Sequence, residues 1–197
     1  MAVTINATTD AIWAFLSNFI GNDYGVAGLM GNLFAESGCN PFNVENGFGW
    51  TDLGYTEAVD NGTENFTRLY LKPNNTWSPL GYGLAQWTSP SRKQALYDNK
   101  VLAGVSIADL NLQLNYLEYE LIQLYPAVLT VLQNATTIRQ ASDYVLVHFE
   151  APADQSEAVK ILRASYGQEY YDHYHSAFIL YRYGGIREML RRLIIHA

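Results

Sequence analysis

The sequence predicts an α+β fold, mainly α, in which a helical lobe carries a small β-hairpin and loop subdomain over about 42–88. Three observations predict it. Apolar residues recur at helical spacing on both sides of that segment, while inside it Gly, Asn, Thr and aromatic residues replace the pattern. The chain has 197 residues and 49% apolar content, enough for one domain with a buried core. A Gly184-Gly185 break sets off a last amphipathic stretch, so the expected division is one main domain over 1–175 and a helical extension over 176–197.

Taken in order, Thr8 or Thr9 is the expected cap of a first short helix with Ala11, Ile12, Phe15, Leu16 and Phe19 on its apolar face, ended by Gly21. A second helix follows at once. Val26, Leu29, Met30 and Leu33 fall at i, i+3, i+4 and i+7, Asn22 is its expected N-cap, and Gly38 and Pro41 are its stop signals. Gly25, Gly28 and Gly31 lie inside it, each costing roughly 1 kcal/mol against Ala, which points to another element packed closely there. The stretch 42–88 reads as loops and short hairpins rich in aromatics, with Phe66 to Leu71 as the expected strand. So long an irregular segment in one domain is more often functional than accidental, and aromatic faces suit pyranose rings. Helices return over about 91–100, after a Ser106–Asp109 capping box with Leu110, Leu114, Leu117 and Leu121 on one face, after Pro126, over 138–149, and over about 154–174. In the tail, Ile186, Met189, Leu190, Leu193 and Ile194 form a stripe flanked by Arg187, Arg191 and Arg192, expected to dock on a partner or make an oligomer contact through 186–197.

The net charge of −7 excludes nucleic acid and anionic membranes as natural partners. The acidity is concentrated: Glu36, Glu45, Asp52, Glu57, Asp60 and Glu64 occur with no Lys or Arg between them. Cys39 is the one cysteine, so no internal disulfide is expected. The sequence shows neither a signal-peptide pattern nor a run of about 18 apolar residues. No cofactor or metal is expected, since of the neighbouring Asp172, His173 and His175 the first two point in different helical directions, no H-E-x-x-H occurs, and Asp60 to Glu64 matches a calcium turn only faintly.

Glu36 is the residue that breaks its pattern. It continues the face of Leu29 and Leu33, where an apolar side chain is expected, and it sits in the last helical turn. A carboxyl in that place is most often solvated or salt-bridged. Partial burial and the negative end of the helix both favour the neutral acid, however, and a carboxylic acid held protonated is what a glycosidase needs to protonate its leaving oxygen. A rival chemistry would pair Cys39 with His148 as a thiol amidase or endopeptidase, although Cys39 follows a helix end rather than a helix start.

The motifs VAGLMGNLFAESGCNP (26–41), GYGLAQWTSPSR (81–92), LQLNYLEYEL (112–121) and HFEAPAD (148–154), in that order, resemble the signature of the phage tail lysozyme family over roughly 10–175. The resemblance implies a lysozyme-like fold and cleavage of the β-1,4 bond between N-acetylmuramic acid and N-acetylglucosamine in peptidoglycan. Phage tail or cell-envelope proteins would be its neighbours, at the virion tail or facing the cell wall. It implies Glu36 as catalytic acid, and Gly83, Gln86 and Trp87, with Tyr82 beside them, on the cleft opposite. Glu150 of the Phe149-Glu150-x-Pro152 match is expected to be structural. A second carboxylate would activate water or stabilise the transition state. Asp52 is the first candidate, in a Gly-rich hairpin sixteen residues on from the acid, and Glu45 the second. Without such a partner a lytic transglycosylase is the variant, and without turnover a wall-binding virion module.

Overall fold

The structure, a computed structural model, describes residues 2–175; the stripe expected over 186–197 lies outside the described residues. Helix α1 (Ala7–Ile20) starts from Asn6, slightly upstream of the threonines expected to cap it. The Asn6 side chain accepts the Thr8 and Thr9 N–H groups, and Thr9 Oγ1 accepts the Asn6 N–H, a reciprocal box. Helix α2 (Asp23–Ser37) opens on Asn22 and closes on Gly38 in the left-handed region, as its sequence predicts. The Asn22 amide also donates to Gln133 O and Ala135 O, tying this helix start to a later part of the chain.

The segment 42–88 departs from expectation. It contains a helix, α3 (Asp52–Asp60), capped by Thr51, whose hydroxyl accepts the Gly54 N–H. Tyr55, Thr56 and Val59 form its buried face, so Asp52 stands in the first turn of a helix and not in a hairpin. The strand is also shorter than expected: β1 (Tyr70–Leu71) pairs antiparallel with β2 (Trp77–Ser78), in the register Tyr70 to Ser78 and Leu71 to Trp77. Phe66 belongs to the core instead, packed edge-on to Tyr82.

Helix α4 (Pro90–Ala103) has proline in its first turn, where no N–H is required. Helix α5 (Leu110–Gln123) is capped by Asp109, while Ser106 bonds to Asp60 of α3, so the expected capping box is instead a cross-link between segments. Helices α6 (Pro126–Asn134) and α7 (Ile138–Val145) follow, then a π turn, Leu146–Glu150, ended by Ala151 at φ 45°. A last helix, α8, spans 157–175. No helix among the described residues is long and apolar enough to cross a membrane.

Helix α2 is the axle of the lobe. A Cβ on Gly25 would lie 2.1 Å from Leu132 O of α6, one on Gly28 2.5 Å from the Ala141 Cβ of α7, and one on Gly31 2.3 Å from Arg163 O of α8. The glycines allow three helices to approach the α2 backbone directly, which accounts for the interior Gly that a lone helix would disfavour. Val26, Ala27, Leu29, Met30 and Leu33 complete the buried surface around it.

Candidate active site

The last turn of α2 delivers Glu36 to an open groove of about 780 Å³ between the β1–β2 hairpin and the ends of α2, α4 and the π turn. Two side chains fix that turn. Ser37 Oγ shares its proton between Leu33 O (3.1 Å) and Leu84 O (2.9 Å), holding the helix end to the segment beneath the groove. Arg163 of α8, brought close by the Gly31 contact, pairs through Nη2 with Glu36 Oε1 at 2.6 Å and donates through Nη1 to Asn32 Oδ1. Asn32 is itself fully buried, its amide donating to Gly28 O and to Ser142 of α7.

The groove wall nearest α4 carries a second charged cluster. Glu120, fully buried, accepts two bonds from Arg92, at 2.6 and 2.8 Å, and a third from the Trp87 indole N–H at 2.8 Å. The Arg92 guanidinium also lies over the Phe149 ring, 4.8 Å from its centre. Glu150, the last residue of the π turn, lines the groove beside Arg92 and Glu36. Its Oε1 is sealed from solvent with no hydrogen-bond partner among the described residues. Burial first, and the Glu36 charge second, push the Glu150 carboxyl well above its ordinary range, against the opposing pull of Arg92 and Arg163.

On the facing wall, Glu45 Oε2 accepts the Gly81 N–H at 2.9 Å and pairs with Lys72 of the hairpin. Gln86 lies between the walls at φ 44°, its amide donating to Asn43 O, Asn43 Oδ1 and Gly83 O. A non-glycine residue held in the left-handed region is a costly conformation of the kind that clusters at functional sites. Behind this floor Lys93 is fully buried, donating to Leu80 O at 2.6 Å and to Tyr55 Oη at 3.3 Å, with the Phe66 ring centre 3.9 Å away. Burial, reinforced by Lys72, lowers its pKa from 10.5 to about 7.

A second surface depression, of about 900 Å³, lies between α4 and α5. Its two carboxyls are engaged locally, Asp109 with the Leu112 N–H and Asp98 with the Gln94 amide. Its lining sets no basic side chain beside them, whereas the groove at Glu36 holds Lys72 and Arg92.

A family model described as phage tail lysozyme matches residues 7–174. The chain belongs to the phage tail lysozyme family. No curated protein matches the sequence. Membership makes the chain a lysozyme-like peptidoglycan hydrolase of the glycoside hydrolase type.

Within this phage tail lysozyme domain the groove gathers Glu36, Glu45 and Gln86, three of the residues singled out from sequence. Asp52 is not among its lining residues. Its Oδ1 accepts the Val44 N–H and its Oδ2 the Asn40 amide, so it braces the chain after α2. Trp87 and Tyr82 are fully buried and cannot stack on a sugar. Trp87 is fixed by Glu120, and Tyr82 by a 2.6 Å contact with Thr56 Oγ1 and by the rings of Tyr55 and Phe66. Gly83 is also buried: its N–H donates to Asn43 O, and a Cβ there would lie 2.5 Å from Gln113 Oε1. These three build the floor from behind instead of touching what lies on it.

The thiol chemistry fails on the same grounds. Cys39 is buried against Tyr170 Oη at 3.6 Å, and burial pushes its thiol up to about 12, far from a nucleophilic thiolate at neutral pH. His148 is exposed, its ring tilted against that of Tyr144. Sequence reasoning missed Arg163, Arg92 and Glu120, and it took Glu150 as structural. For Glu150 the available signal was a carboxylate at the end of the Ala141, Val145, Phe149 stripe, the same pattern break that marks Glu36.

Proposed function

We propose that this phage tail lysozyme domain is a muramidase, cleaving the β-1,4 bond between N-acetylmuramic acid and N-acetylglucosamine, with Glu36 as general acid. The observation that carries the reading is Glu36 at the end of α2, opening onto the groove with its side chain 18% exposed and a guanidinium on its far side. In the reaction the Glu36 carboxyl gives its proton to the glycosidic oxygen. The C1–O bond breaks with its electron pair leaving on that oxygen, and the resulting Glu36 carboxylate is received by Arg163. Glu45 replaces Asp52 as the carboxylate that takes the proton of the incoming water, because it lines the groove and Asp52 does not. Gln86, whose Nε2 is held by Asn43 and Gly83, offers its amide oxygen to a sugar hydroxyl. Peptidoglycan glycan strands are the substrate, and a virion tail or wall-facing location is the setting in which such a groove meets them.

The test is mass spectrometry of soluble products from purified peptidoglycan. Wild type should release muropeptides with new N-acetylmuramic acid reducing ends. Folded Glu36→Gln should release none, and full activity in that variant removes the assignment. A second reading is favoured by the prior engagement of Glu45 Oε2 with Lys72 and Gly81. If Glu45 takes no part, the acid alone supports a lytic transglycosylase, whose anhydro product is lighter by one water and appears in the same spectra.

A further inference from the structure

Three carboxyls and two guanidiniums converge behind the Glu36 wall of the groove. Glu120 of α5 holds Arg92 of α4 with two hydrogen bonds, and Glu36 of α2 pairs with Arg163 of α8. Glu150 is the third carboxyl. Arg92, Arg163, Glu36 and Glu120 are the charged groups that act on it from the elements packed around it, and His148 on its own turn is exposed. Both guanidiniums have a nearer carboxylate, and among the described residues Glu150 makes no ion pair. With all three carboxyls ionised the cluster has one negative charge too many, in a place where Glu150 Oε1 is sealed from solvent and has no hydrogen-bond donor among the described residues. A carboxylate with one oxygen sealed and unpaired is costlier than the neutral acid, so one bound proton balances the cluster. Glu36 and Glu150 are the two carboxyls of the cluster that line the groove, and repulsion between them opposes ionisation of both at once.

We propose that Glu36 and Glu150 hold one proton between them, and that Glu150 sets the pH up to which Glu36 still acts as an acid. The inference rests on the assignment of Glu36 as proton donor. When Glu36 is paired with Arg163, the shared proton resides on Glu150. When the proton resides on Glu36, Glu150 is the carboxylate and takes the charge of Arg163 and Arg92. No proton is gained or lost in the exchange. A carboxylate at 150 opposes the loss of that proton from Glu36. Glu150 is on this reading a positioning residue, acting on the substrate only through Glu36.

The experiment is the pH dependence of peptidoglycan hydrolysis for wild type, Glu150→Gln and Glu36→Gln, with circular dichroism to establish folding. Gln keeps the shape of Glu150 but never ionises. Folded Glu150→Gln should retain activity at acid pH, with the alkaline limb moved down by about one pH unit or more. A limb left in place with a uniform fall in rate overturns the proposal. So does a folded Glu150→Gln that is inactive at every pH, because Glu150 would then be the donor itself. If Glu36→Gln is active, the underlying assignment fails whatever Glu150→Gln does. Should Glu150→Gln not fold, carbon-13 titration of the wild-type glutamate carboxyls decides. Two coupled steps shared by Glu36 and Glu150 support the pair, and a single ordinary step for Glu150 ends it.

Discussion

Replacing Lys93 with methionine should change how stability depends on pH. Lys93 is fully buried behind the groove floor, and its pKa falls from 10.5 in the exposed chain to about 7 in the fold. Above pH 10.5 the amine is neutral in both states and contributes no dependence. As pH falls from there, the unfolded chain takes up a proton that the folded chain does not, and the fold loses about 1.4 kcal/mol per pH unit. The loss levels off near pH 7, where the buried amine also protonates, at a total of about 4 to 5 kcal/mol, a large part of a domain's stability. Between pH 9 and pH 7 the expected change is about 2 kcal/mol. The assay is urea unfolding of wild type and Lys93→Met at pH 7, 8 and 9. Every other titrating group contributes nearly equally to both proteins, so the difference between their curves isolates Lys93. Wild type should lose about 2 kcal/mol more than the variant over that range. Parallel curves would refute the reasoning and place a charged ammonium, satisfied by Leu80 O and the Phe66 ring, inside the fold at neutral pH.

Trp87→Phe should leave the rate of peptidoglycan hydrolysis near wild type while lowering stability by about 1 to 3 kcal/mol in urea unfolding, because it removes one bond to buried Glu120 and no substrate contact. Glu120→Leu strands the Arg92 charge and should cost about 3 to 5 kcal/mol in the same assay, with Arg92→Met in the same chain recovering much of it. Gly31→Ala places a methyl 2.3 Å from Arg163 O, and should reduce both the melting temperature and the hydrolytic rate, since α8 must move off α2 and take Arg163 with it. Iodoacetamide at pH 7 should leave the native enzyme active and unmodified at Cys39, as mass spectrometry of the intact protein would report.

The helical lobe was legible because its signals are local. Asn22, Gly38, Pro90 and Pro126 mark helix ends through their own backbone preferences, and the structure uses each of them there. The interior glycines of α2 were legible as close packing, though not which helices did the packing. Helix α3 was missed because Gly54 and the surrounding Asn, Thr and aromatic residues hide a short helix whose buried face comprises only Tyr55, Thr56 and Val59. At the site, Glu36 stood out by interrupting an apolar stripe and Glu45 by its place soon after. Their counter-charges did not stand out. Arg163 lies 127 positions from Glu36, and nothing local to either residue announces the pair. Trp87 and Tyr82 were misassigned for a related reason: an aromatic beside a cleft motif reads the same whether it faces a sugar or a buried glutamate.

The bonds of Gln113 bear on how the cleft can open. Its amide reaches Pro41 O and Ile107 O while its Oε1 accepts the Leu84 N–H, and Ser37 holds Leu84 O from the other side. The jaw that bears Glu36 and the bed below it are thus riveted into one piece. The opposing jaw, the β1–β2 hairpin, is a two-residue ladder held by the Lys72–Glu45 pair and by Tyr70, which accepts the Trp50 indole N–H and packs edge-on to Phe48. Any widening to admit a polymer strand falls to the hairpin, and the acid stays put while the mouth adjusts.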